Sequence, residues 1–331
     1  LENYEKAVSA SPFDFRLWLA LGKARERAGN DKAAEQALRY ARELAPNYAE
    51  VRWVLGNFLL RQGNSDEAFV EIRNAVEQNP TLAAPAVFTA WQIFDGDVSM
   101  IAGKIGDSAP IKASLAQFLA RQKKFEDAMS FWNSVPDADK PEKYKVIGDD
   151  LVAQLIAVNN FRYALTVQNQ MLPQNAERVA VGQLYNGDFE KEVKAANAGL
   201  FDWKIGEAAQ PQISLDSGQK RNGTRSLIFV YNTENGKGLR SVRQTVAVEG
   251  NKTYRLEGFY KADLKTLAEI KWEVLDAMEN KVIASSAAFS NSTEWQPLSI
   301  EFTTSANAHG VIIRVSEPTC KQAICPVSGK L

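Results

Sequence analysis

The chain has 331 residues, of which 45% are apolar and 24% charged, and a formal net charge of -1. That length calls for two or three domains, and the even charge balance argues against a nucleic-acid partner, which favours a basic footprint. No apolar run approaches the roughly 18 residues of a membrane span, and one histidine with two cysteines leaves little material for a metal cluster.

From the start of the chain, one set of residues recurs every 34 positions: Pro12, Pro46 and Pro80; Ala7, Ala41 and Ala75; Gly22 and Gly56; Gly29 and Gly63; Ala34 and Ala68. This is the pattern of a stacked helix–turn–helix array, in which neighbouring units bury each other's apolar faces. Small residues at Gly22, Ala34 and Ala41 let backbones approach, while Trp18, Leu21, Leu38, Leu55, Leu59 and Ile72 fill the layers. Gly29-Asn30 and Gly63-Asn64 sit where a left-handed residue ends a helix, Asp31 and Asp66 are candidate caps for the next, and Pro46 and Pro80 stop the second helix of one unit and start the next. Trp18, Leu21, Gly22, Ala34, Leu38, Ala41 and Pro46 resemble the tetratricopeptide repeat position by position; the second unit departs with Arg52 in place of Trp18. The resemblance implies an all-α helical solenoid that binds a protein or peptide partner in its groove. Residues 1–82 carry the clear repeats. The chain begins inside one, Tyr4, Ala7 and Pro12 reading as the end of a second helix, so it reads as a piece of a longer protein.

Residues 83–173 continue as divergent repeats. Ala86 to Phe94 form one apolar helix, broken by Asp95-Gly96-Asp97. Residues 111–135 keep Leu115, Ala116, Leu119, Phe125, Ala128 and Trp132, and residues 143–172 keep Leu151, Leu155, Phe161 and Ala164. Residues 174–183 read as a connector. Beyond it the period changes from helical to two. Strands are expected at Ser226–Tyr231, Ser241–Val248, Thr253–Ala262, Ala268–Asp276, Lys281–Phe289, Pro297–Thr303 and Gly310–Val315. The turns between them predict an antiparallel β-sandwich or jelly roll over 184–331.

Within that segment, Tyr185-Asn186-Gly187-Asp188-Phe189-Glu190, Phe201-Asp202-Trp203, Gly223 with Ser226-Leu227, Gly250 with Tyr254, and Trp295-Gln296 resemble, in this order, the jelly-roll carbohydrate-binding modules and the related galactose-binding-like domains. The resemblance implies glycan binding. It also implies a structural calcium held by an acid at Glu190 together with aspartates on a closing strand. Those aspartates are missing, since the chain stops at Gly329-Lys330-Leu331 where that strand should begin, and no cofactor is expected. Loss of the strand is expected to leave an exposed sheet edge.

Glycans are held on aromatic faces with polar neighbours, which makes Trp203, Tyr231, Tyr260 and Trp272 the candidates in the β part. Alternation puts Trp272 in the apolar company of Ile270 and Val274, a core position, and Trp295 reads as structural. In the helical groove the candidates are Arg16, Arg25, Trp53, Asn57 and Arg61, positioned to clamp a peptide's acidic groups; a solvated polar face is the alternative. Trp91 is a further candidate there, and Trp132 reads as core. No catalytic set is present: His309 stands alone in a turn, Asp149-Asp150 point to different helix faces, and no phosphate-cradling glycine loop occurs. Cys320 and Cys325 are either a small disulfide loop, which sets the chain in an oxidising, extracytoplasmic compartment (periplasmic or secreted, in a bacterial setting), or two free thiols in the cytoplasm. The reading is a non-enzymatic scaffold that binds protein through its helices and glycan through its sandwich. The alternatives are a sandwich that only caps the solenoid, or an accessory subunit of polysaccharide processing or export.

Overall fold

The structure is a computed structural model and describes residues 1–319 and 324–331. Among them the helices come first: α1 (Glu2–Ala10), α2 (Phe15–Arg27), α3 (Asp31–Leu44), α4 (Ala49–Arg61), α5 (Ser65–Gln78), α6 (Ala83–Ile93), α7 (Val98–Ile105), α8 (Ala109–Arg121), α9 (Phe125–Asn133), α10 (Lys145–Ala157) and α11 (Phe161–Met171). Ten strands follow: β1 (Lys204–Ile205), β2 (Gln212–Asp216), β3 (Ser226–Thr233), β4 (Val242–Ala247), β5 (Thr253–Thr266), β6 (Trp272–Asp276), β7 (Val282–Ser285), β8 (Ser292–Thr303), β9 (Gly310–Val315) and β10 (Val327–Lys330). The expected order, helical array then antiparallel sandwich, is the order observed. The chain folds into two compact units, Leu1–Leu151 and Val152–Leu331.

In the first unit the small residues of the repeat act as spacers. A Cβ on Gly22 would lie 2.7 Å from Leu38 Cγ, and one on Gly56 would lie 2.9 Å from Ile72 and 3.0 Å from the Ala68 carbonyl. Gly29 and Gly63 have φ of 75° and 79°, the left-handed conformation that ends a helix at little cost only for glycine. The cap of α3 is Asn30, whose side chain accepts from the Ala33 amide at 3.3 Å, and Asn64 holds the same place before α5. The expected caps, Asp31 and Asp66, instead lie in the first turn, where an acid meets the positive end of the helix dipole. Trp132 is fully buried.

The Trp18-to-Arg52 departure keeps the contact that the repeat needs. Trp18 Nε1 donates to the Pro12 carbonyl at 2.7 Å. Arg52, 34 residues on, donates through Nε to the Pro46 carbonyl. The rest of its guanidinium meets Glu71 at 2.7 Å, with Arg42 3.9 Å away on the other oxygen. Glu71 is buried, and the matching position in the first repeat is Ala37. The second repeat has therefore exchanged an aromatic–alanine pair for an ion pair at one site.

In the second unit the strands form two antiparallel sheets of five, in the orders β1-β4-β9-β6-β7 and β2-β3-β10-β5-β8. Their inner faces share one core that includes Phe229, Tyr231, Val246, Leu264, Val274, Ile300 and Ile313. Helix α11 belongs to this unit: the Phe161 ring covers Gly310, where a Cβ would lie 2.4 Å from it, and Arg162 Nε donates to His309 Nδ1 at 3.1 Å.

The closing strand departs from expectation. Val327–Lys330 form β10, which pairs with β3 on one side and β5 on the other. It is an interior strand of its sheet and not an edge. Four residues with a glycine among them carry too little alternation to signal a strand. Cys320 lies outside the described residues, and so does its pairing; Cys325 is buried.

Breaking the Arg52–Glu71 pair leaves a buried acid short of a partner. Arg52→Ala is expected to lower stability by about 2–4 kcal/mol, below the full penalty because Arg42 remains near. The double change Arg52→Trp/Glu71→Ala, which restores the first repeat's arrangement, is expected to recover most of that loss. Urea unfolding of the two variants checks both.

Candidate functional site

The site lies on the second unit, where β5 and β8 meet the opening motif and the turn before β3. β5 alternates Tyr254, Leu256, Gly258 and Tyr260 toward the core with Arg255, Glu257 and Phe259 toward solvent. Phe259 is 45% exposed, and the Arg221 guanidinium lies 3.4 Å from its ring centre. Between the pairs Tyr260↔Gln296 and Ala262↔Ser292 the register shifts, so that Thr293, Glu294 and Trp295 stand opposite Lys261 alone. Such a bulge re-aims side chains. Here it accompanies a half-buried Trp295 with Lys261 Nζ 5.4 Å from its ring centre. Lys261 also reaches Gln219 Oε1 at 3.4 Å.

Two adjoining cavities of about 370 and 950 Å³ share Phe189, Ser226, Phe259, Trp272 and Trp295. The smaller is floored by Trp203, Leu256, Leu298 and Ile313. The larger runs past Gln219, Lys261, Asp263 and Ser292 to Lys330 and Leu331.

The opening motif is locked by its own hydrogen bonds. Asn186 (φ 50°) accepts from the Lys191 amide at 2.8 Å and donates to its carbonyl at 2.9 Å. The Asn186 carbonyl in turn accepts from Trp203 Nε1 at 3.0 Å. Glu190 reaches across to the 222–225 turn. One oxygen accepts from the amides of Thr224 (2.7 Å) and Arg225 (3.3 Å), and the other from the Thr224 hydroxyl. Those bonds, the Thr224 hydroxyl first, hold its carboxyl below the usual value of 4.5. Gly223 (φ 72°) makes the approach possible, since a Cβ there would lie 2.2 Å from Glu190 Oε1. A calcium ion needs six to eight oxygens. The Glu190 carboxylate faces N–H and O–H donors instead, and among the described residues no three acids, histidines or cysteines converge.

The structure corrects several sequence expectations. Tyr231 is 4% exposed and stacked on Phe229 at 6.3 Å inside the core; burial pushes its phenol up. It cannot meet a ligand, because β3 turns its odd-numbered residues inward. Trp203 is 3% exposed, 5.3 Å from Phe189 and 5.9 Å from Trp272, and of the two cavities only the smaller reaches it. Trp272 is half-buried and lines both cavities, and Tyr260 lines the larger with its hydroxyl 3.2 Å from Ser290 Oγ. Trp295, expected inside, is a wall of both. Phe189, Phe259 and Arg221 were not anticipated; alternation from Tyr254 and Leu256 would have turned Phe259 outward.

In the helical unit the proposed groove charges have partners within the chain. Arg16 forks onto Asp14 at 2.9 and 2.8 Å, Arg25 meets Glu5 at 3.2 Å and Arg61 meets Glu26 at 2.7 Å. Asn57 donates to the Trp53 carbonyl at 2.8 Å, and Trp53 is half-buried. Farther along, Trp91 packs on Phe118 at 5.0 Å, with Phe88, 52% exposed, 6.5 Å from the same ring.

Fold and site together define a two-module protein, a helical-repeat array joined to an aromatic-lined β-sandwich. The family model described as a carbohydrate binding domain matches residues 181–322. The model described as a tetratricopeptide repeat matches residues 1–49 and 32–83. Both resemblances read from the sequence therefore stand for those segments. Among solved structures the chain is similar to one described as CBM4 structure and function, at 16% identity over 44% of this chain and 99% of that one, with a TM-score of 0.32. It is also similar to the CBM22-1 xylan-binding domain of Paenibacillus barcinonensis Xyn10C, at 14% identity over 43% and 88% with a TM-score of 0.28. A third is YrrB, described as a TPR protein with an unusual peptide-binding site, at 14% over 51% and 90% with a TM-score of 0.28. No curated protein matches the chain.

The Glu190 anchor has a pH signature. A depressed native pKa means that its stabilising effect is complete above the ordinary value of 4.5 and is lost as pH falls through the native value. Hydrogen exchange at the Thr224 and Arg225 amides is expected to stay slow, relative to intrinsic rates, from neutral pH down to that range and to quicken below it. In Glu190→Gln, exchange at both amides is expected to be faster at neutral pH and to lose this pH dependence.

Proposed function

We propose that this chain is a non-enzymatic binding protein whose sandwich holds a glycan across Phe259 and Trp295, while its helical array docks a protein partner. The glycan reading is carried by two aromatic side chains, one of them 45% exposed, bordering one cavity with Gln219, Lys261, Asp263 and Ser292. Aromatic faces cover the C–H surface of a sugar while polar neighbours bond its hydroxyls. The carbohydrate-binding match over 181–322 supports it. The protein-docking reading is supported by the repeat match and by the partly exposed Phe88–Trp91–Phe118 cluster. A polysaccharide ligand suits an extracytoplasmic setting.

Calorimetric titration against β-glucans, xylans and bacterial exopolysaccharides is expected to find at least one ligand. Trp295→Ala is expected to weaken it about ten- to a hundredfold, the size of a lost aromatic hot spot. Silence across the panel would leave the sandwich without a glycan role.

A second reading, that the sandwich serves to cover the end of the helical part, is favoured by the Phe161–Gly310 contact within the second unit. Residues 184–331 alone are then expected to melt well below residues 152–331, because removing α11 uncovers Phe161's place on the sheet. Equal melting temperatures would remove that support.

A further inference from the structure

Three asparagines are followed directly by glycine: Asn186-Gly187, Asn222-Gly223 and Asn235-Gly236. In such a pair the glycine nitrogen can attack the side-chain carbonyl of the asparagine, because no Cβ shields that nitrogen and the glycine backbone turns freely. The fold treats the three pairs differently.

At Asn186 both ends of the side-chain amide are held. Oδ1 accepts from the Lys191 amide at 2.8 Å, Nδ2 donates to the Lys191 carbonyl at 2.9 Å, and the residue is buried. At Asn235, Oδ1 accepts from the Lys237 amide at 3.2 Å. The Gly236 N–H, the attacking group there, donates to the Cys325 carbonyl at 2.7 Å. Asn222 stands in the exposed bend between β2 and β3. Its side chain makes no hydrogen bond among the described residues, and neither does the Gly223 N–H.

This bend is also the one that Glu190 fastens. The Thr224 amide, the Thr224 hydroxyl and the Arg225 amide all donate to its carboxylate, and the Arg225 guanidinium donates to its main-chain carbonyl. Gly223 passes so close that a Cβ would lie 2.2 Å from Glu190 Oε1. Any lengthening of the main chain just before Thr224 must therefore shift those donors.

We propose that Asn222 is a site of spontaneous deamidation, and that its isoaspartyl product unfastens the 222–225 bend from Glu190. The Gly223 N–H gives its proton to base, and the nitrogen bonds to Asn222 Cγ. The side-chain nitrogen leaves as ammonia, which closes a succinimide ring. Water then opens the ring. Cleavage at Cγ gives aspartate. Cleavage at the main-chain carbonyl leaves Gly223 joined through Cγ, an isoaspartate whose main chain is longer by a carbon. No oxidant or reductant takes part. Both products place a new carboxylate near Glu190, a like charge, and the isoaspartate also displaces the donors that Glu190 holds.

The test keeps the whole chain at mildly alkaline pH and body temperature and samples it over weeks by proteolysis and mass spectrometry. The amide-to-acid mass gain is expected at Asn222 at least about tenfold faster than at Asn186 or Asn235, where reaction waits on the opening of native hydrogen bonds. In urea the three rates are expected to converge. Isoaspartate is measured by methyl transfer from labelled S-adenosylmethionine with an isoaspartyl methyltransferase. Asn222→Gln, whose longer side chain closes the ring far less readily, is expected to remove that signal and leave the other two sites unchanged. Hydrogen exchange at the Thr224 and Arg225 amides is expected to be faster in the isoaspartyl fraction than in Asn222→Asp, which supplies the charge without the longer main chain. Earlier modification at Asn186 or Asn235, or equal rates at all three in the folded chain, would overturn the site. Exchange no faster than in Asn222→Asp would overturn the release from Glu190.

Discussion

The sandwich depends on the main-chain hydrogen bonds of Val327–Lys330. Those four residues are the strand that joins the β2–β3 hairpin to the long β5–β8 ribbon. A buried backbone group without a partner costs about as much as a lost hydrogen bond, so this ladder is what closes the second sheet across its middle. The larger cavity reaches to this strand at Lys330 and Leu331.

Around the cavities the second unit is firmly built. The 185–191 motif is closed by Asn186 on Lys191, and the 222–225 turn is tied down by Glu190. Trp203 is fixed by the Asn186 carbonyl and by Phe189 and Trp272. The walls are therefore preformed, which lowers the ordering cost of binding. Aromatic faces line the outer part and apolar core residues the inner part.

The helical unit shows the same economy in another form. At one site its repeat preserves the position and not the residue type. Trp18 and Arg52 both deliver an N–H donor to the carbonyl of the proline that opens the unit, and the change at that position is matched by Ala37 becoming Glu71. What the array demands at that site is one donor and a filled volume. Either an indole or a paired guanidinium supplies them.

The helices, their 34-residue period, the left-handed Gly29 and Gly63 and the switch to strands were all legible in the residues, because local periodicity and backbone preference act over short distances. β9 was readable for the same reason, as a strongly alternating segment. The caps at Asn30 and Asn64, the place of Trp295 in the cavity wall beside the two-residue excess in β8, and the burial of Tyr231 were not legible. They depend on which strand lies beside which, and at what register. The last four strand residues are the plainest case. Their sequence reads as a tail, and only the flanking edges of β3 and β5, brought together from some 60 to 100 residues earlier in the chain, make them the centre of a sheet. Sequence alone determined the two kinds of element and their order. The central place of Val327–Lys330 and the aromatic walls of the cavities were decided by tertiary pairing, because a strand's backbone partners are chosen by its neighbours in space.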